Sequence, residues 1–174
     1  MSYFAAAVAR TTKGWSASEL DLSGAADVDE VVDRLRDTEP DADLLLLFVE
    51  ADDSYLVIMR ADGEEDLRIF GSDSVFADES RLGALLLGDI EAPALEVDEV
   101  VEAVIAEDDD ATDRPAVEPD ADPVGDADLL SDLGVSAHRL LSLCAREGML
   151  PADVTAEVCQ TLGCGDEVEE LREA

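Results

Sequence analysis

Four residues in the last third of the sequence carry side chains suited to metal chemistry: His138, Cys144, Cys159 and Cys164. Imidazole nitrogen and thiolate sulfur are ligands that zinc favours. Their spacing argues the other way. No Cys-x-x-Cys pair occurs, and His138 and Cys144 stand six positions apart, on different faces of one expected helix. Cys144 and Cys159 fall on apolar stripes, where a free thiol behaves as a small hydrophobe. Arg139 beside His138 points to a solvent-facing turn. The odd number of cysteines also opposes a disulfide framework.

Other reactive arrangements fare no better. Ser16 and Ser18 lie near Gly14 without forming Gly-x-Ser-x-Gly, and a single histidine must serve any triad. Carboxylates are too plentiful for one pair to stand out as acid and base. Neither a Walker loop nor Gly-x-Gly-x-x-Gly is present. The stretch SAHRLLSLCAREGMLPADVTAEV has a helix-turn-helix outline, but its second helix, 151–162, contains Asp153 and Glu157 with no lysine or arginine. A reader of DNA needs a positive face there. The expectation is therefore no catalytic, cofactor-binding or metal-binding residue, and no cofactor.

Charge is the strongest compositional signal. The 174 residues hold 45 acids and 11 bases, a formal net charge of −34. Residues 1–106 hold 26 acids and 7 bases, residues 107–128 hold 10 and 1, and residues 129–174 hold 9 and 3. A field of that sign repels phosphate backbones, so no direct nucleic-acid binding is expected. The acidity serves either solubility, in a lineage with one lysine, Lys13, against ten arginines, or attraction of a basic protein partner. An apolar share of 47% weighs against global disorder. No apolar run approaches the length of a membrane span. The amino terminus lacks the basic start and long apolar stretch of a signal peptide, so the expected location is the cytoplasm.

The elements follow from periodicity and punctuation. Residues 2–10 and 15–22 read as strands joined by TTKG, with Gly14 free to take a positive φ. Asp27 and Glu30 stand at capping-box spacing ahead of Val28, Val31, Val32 and Leu35, one apolar helical stripe. LLLLFVE at 44–50 is a near-continuous apolar run, the pattern of a central strand covered on both faces. Short turns lead on to 55–61 and 67–70, an antiparallel meander with a helix packed across it. A short helix from Ser80 stops at Gly88, and Val97, Val100, Val101 and Val104 repeat at helical spacing. Residues 107–128, rich in acid and proline, read as an extended linker. Beyond it Ser136, Pro151, Gly163 and Asp166 punctuate a set of helices. The fold class is α+β: a sheet domain at 1–106, the linker at 107–128, and a small all-helical domain at 129–174. That last part makes a marginal domain by itself, so it is expected to dock on its own sheet or on a partner.

Three stretches carry a family resemblance: MSYFAAAVARTTKGWSASELDL, LLLLFVEADDSYLVIMRADGEEDLRIFGSD, and DLLSDLGVSAHRLLSLCAREGMLPADV with LGCGDEVEELR. With them the chain resembles the actinobacterial tRNA adenosine deaminase-associated proteins. The resemblance spans nearly the whole chain except the linker, and it implies a protein partner, the tRNA adenosine deaminase, more than an activity. The chain itself does not resemble the deaminase. That zinc chemistry needs His-x-Glu and Pro-Cys-x-x-Cys, whereas His138 is followed by Arg139 and Leu140. The expected function is thus a non-enzymatic accessory or regulatory protein of tRNA adenosine-to-inosine editing. Two alternatives stand beside it: an acidic nucleic-acid mimic that binds basic proteins, and an enzyme with a carboxylate site in the sheet domain.

Overall fold

The computed structural model describes residues 3–51, 54–62, 66–73, 75–88, 123–145 and 150–173. Among them a six-stranded sheet has the order β2-β1-β3-β4-β5-β6, every neighbouring pair antiparallel. The strands are β1 Tyr3–Thr11, β2 Gly14–Glu19, β3 Leu44–Ala51, β4 Tyr55–Asp62, β5 Asp66–Gly71 and β6 Val124–Gly125. The α+β class and the β3–β4–β5 meander are as expected. A crossover adds to it: β2 passes through helix α1, Val28–Thr38, into β3, which pairs with the far side of β1. At the β1–β2 turn Gly14 takes φ +122°, a conformation that favours glycine.

Alternation along the strands assigns two faces. Odd-numbered residues such as Leu45, Leu47, Val49, Val57 and Met59 pack against α1 and against two short helices, α2 Val75–Glu79 and α3 Arg81–Leu87. The Asp27 carboxylate accepts from the Glu30 N–H at 2.9 Å and caps α1. Glu30 in turn accepts from the Ala26 N–H at 3.0 Å, one residue before the position a capping box uses. Ser80 caps α3 through the N–H groups of Leu82 and Gly83. Helix α2 was not expected; a single turn with one buried apolar residue, Phe76, leaves no periodicity to read.

Even-numbered residues, among them Val8, Leu44, Leu46, Phe48, Leu56, Ile58 and Phe70, face a second layer. It comprises a 3-10 segment, Ala127–Leu133, and helices α4 Ala137–Ala145, α5 Pro151–Leu162 and α6 Gly165–Glu173. Leu129, Leu130, Leu140, Val154, Val158 and Val168 belong to the same buried cluster as those strands. Of the two docking surfaces expected for the carboxy-terminal helices, the chain's own sheet is the one they occupy. Residues 123–128, assigned to the linker on sequence grounds, join the fold, with Val124 pairing to Gly71 and Gly125 to Phe70. The expected helix with Val97 to Val104 and the rest of the expected linker lie outside the described residues.

Candidate functional site

The residues singled out for metal chemistry are dispersed in role. His138 is exposed on α4, Cys144 is half-buried near the end of that helix, and Cys159 and Cys164 are fully buried. Gly163, at φ +101°, ends α5 in the left-handed region, and the Cys164 N–H returns to the Cys159 carbonyl at 2.9 Å. The Gly163 N–H bonds the same carbonyl, and this left-handed C-cap brings the residues at 159 and 164 into side-chain contact. The contact with the Cys164 thiol and then burial push the Cys159 thiol far above its ordinary range. Burial alone pushes Cys144 up to about 12. A thiol held protonated is a poor nucleophile and a poor metal ligand. No group of three or more His, Cys, Asp or Glu side chains placed to hold a metal occurs among the described residues.

Charged groups inside the fold do a different job. Arg60 projects from β4 into the helical face with its side chain only 8% exposed. It donates to Asp62 at 2.6 Å, to the Leu129 carbonyl at 2.5 Å, and to both Asp132 oxygens at 2.5 and 2.9 Å. A bidentate guanidinium–carboxylate contact fixes both distance and plane. The hydrogen bond from Arg60 holds the Asp132 carboxyl below its ordinary value. At the other end of the sheet the buried Glu50 of β3 pairs with Arg172 of α6, whose guanidinium also lies 4.5 Å from the Phe4 ring centre. These two anchors pin the first and last elements of the helical layer to adjacent strands. Sequence reasoning passed over all four residues, yet a signal existed. Glu50 is in phase with Leu46 and Phe48 on the strand expected to be covered on both faces, and Arg60 is in phase with Ile58 on the next strand.

Most of the remaining arginines among the described residues are also engaged within the fold. Arg34 bonds Glu30 at 2.6 Å and the carbonyls of Asp21 and Ser23 at 2.9 and 3.0 Å. Arg68 pairs with Asp126, Arg139 with Glu157, and Arg10 lies over the Trp15 ring. Internal contacts thus occupy much of a small stock of cations, and the acid excess is left facing solvent. Chemically, an acid excess of this size can attract and orient a cationic macromolecule.

A family model described as Rv3753c-like tRNA adenosine deaminase-associated protein matches residues 3–165. No curated protein and no solved structure matches the chain. No described helix is long and apolar enough to cross a membrane.

Proposed function

We infer the role of this protein from its family: the chain belongs to the Rv3753c-like tRNA adenosine deaminase-associated proteins. We propose that it is a non-enzymatic accessory or regulatory subunit that binds the tRNA adenosine deaminase in the cytoplasm. The observation that carries this reading is complementarity of sign. An enzyme that grips tRNA presents a positive face to it, and this chain carries a net charge of −34 with much of its arginine tied up internally. Opposite fields accelerate encounter and suppress wrong partners. The same field disfavours direct contact between this protein and the tRNA.

The test is co-purification of the tagged chain with the same organism's deaminase, washed at about 0.15 M and about 0.5 M salt, either side of strong Debye screening. Retention at both is the expected result, because a dedicated interface keeps its apolar contacts when charge is screened. Release at the higher salt alone points to the nucleic-acid mimic instead. Failure to bind at either salt overturns the proposal. Deaminase turnover with and without this protein then separates an activator from an inhibitor.

A further inference from the structure

Among the described residues, the two edges of the sheet are finished differently. At one edge β6 is two residues long and contains Gly125 at φ +88°. Short, irregular edge strands resist pairing with another chain. At the other edge β2 runs six residues, Gly14–Glu19, with no proline, no lysine and a single charge at Glu19. Its register against β1 decides which backbone groups are free. The Leu20 N–H donates to the Ala5 carbonyl at 2.9 Å, and Ala7 pairs with Ser18, Ala9 with Ser16 and Thr11 with Gly14. In an antiparallel ladder every second pair exchanges hydrogen bonds. Ser18, Ser16 and Gly14 therefore bond to β1. The Asp43 N–H bonds to the Arg10 carbonyl at 3.0 Å, so Arg10 turns its carbonyl toward the β3 side and away from its partner Trp15. The N–H and C=O groups of Trp15, Ala17 and Glu19 consequently point outward, and no hydrogen bond engages them among the described residues.

We propose that this β2 edge is the docking site for an extended segment of a basic partner protein, which adds a seventh strand to the sheet. Main-chain bonds to Trp15, Ala17 and Glu19 supply the affinity, and alternate side chains supply the selectivity. Helix α6 lies over β2 and β1. It carries Asp166, Glu167, Glu169, Glu170 and Glu173, while its one arginine, Arg172, is committed to Glu50. Side chains of an added strand on that face would run beside α6, so cationic residues at every second position fit it. Half-buried Trp15, its indole nitrogen close to the Gly163 turn, offers an aromatic surface at the same edge. A second copy of this chain fits poorly, since pairing two β2 strands brings two bodies of −34 together with Glu19 on both. That the partner is the deaminase rests on the function proposed above; the edge itself does not.

Ala17→Pro is the discriminating variant. Its N–H faces outward, so proline removes a docking donor and blocks strand addition while keeping every β1–β2 bond. Binding of the deaminase is compared for the wild-type chain and Ala17→Pro, with circular dichroism reporting the fold, and amide exchange of the wild-type complex is followed residue by residue. The expected result is a loss of about tenfold or more in affinity, the equivalent of one or two hydrogen bonds, together with slowed exchange at Trp15, Ala17 and Glu19. Equal binding by both chains, or unchanged exchange at those three amides, overturns the edge assignment and leaves the proposed function standing. If the deaminase does not bind the wild-type chain, the proposed function fails. The edge is then tested with a synthetic peptide of alternating lysine and threonine, where protection of the same three amides supports it and no protection overturns it. A concentration-dependent dimer that Ala17→Pro abolishes also overturns it, in favour of a second copy.

Discussion

At the scale of single residues, the fold depends on a few charged side chains whose surroundings set their cost of removal. Arg60→Met leaves Asp132 without its guanidinium and the Leu129 carbonyl without a donor. A loss of about 2 kcal/mol is expected from chemical denaturation, the usual size for hydrogen bonds to a charged group. Asp132 also sets a pH dependence. Its carboxyl is lowered from 3.8 in the folded chain, so its contribution is present above that value and disappears as pH falls through the lower folded one. The stability gap between the wild type and Asp132→Asn is therefore expected to stay constant from neutrality down to about pH 5. It should close at more acidic pH, which denaturant titrations across pH would show. Gly83 meets a different constraint: a Cβ there would lie 1.9 Å from the Phe76 carbonyl oxygen. Gly83→Ala forces α2 and α3 apart, and a drop of about 1–3 kcal/mol is expected, the range for overpacking. Thermal melts of the purified variant check it.

Elements differ in how openly their residues announce them. The Asp27 cap, the 28–35 stripe, the apolar run of β3, and the Pro151 start and Gly163 stop of α5 were all legible, because each depends on neighbours within a turn or a strand. Helix α2 was not, since five residues present no period, and β6 was hidden because two residues pair only by virtue of Phe70 and Gly71. The edge strand β2 supplies a prediction of its own. Ser18→Pro removes an N–H that bonds to β1, whereas Ala17→Pro removes one that faces solvent. The first is expected to lower the melting temperature clearly more than the second, and a scan of both variants side by side decides it.

For the molecule as a whole, the two faces of one sheet carry two apolar layers, and the helical layer has no separate core. Leu44, Leu46, Phe48 and Ile58 are buried by the same cluster that includes Leu129, Val154 and Val168. Sheet and carboxy-terminal helices are accordingly expected to unfold in one transition, with matching midpoints by tryptophan fluorescence of Trp15 and by helical ellipticity. A chain ending at residue 122 would expose that whole face and is expected to aggregate. The −34 charge acts on every element at once: self-repulsion strains the compact state. Raising salt from about 0.02 M to about 0.5 M shortens the Debye length, and a higher melting temperature is the expected response.

The sequence by itself determined the α+β class, most element boundaries among the described residues, and the acidic field. These follow from local rules: capping, period, glycine and proline chemistry, and counted charge. Tertiary structure alone decided that β1 lies between β2 and β3, that the carboxy-terminal helices cover the chain's own sheet, and that Arg60 meets Asp132 and Glu50 meets Arg172. Among the described residues it also decided which strand ends the sheet, and so which backbone groups have no ladder partner there. Pairings between residues far apart in sequence depend on where whole layers come to rest, and no spacing along the chain records that.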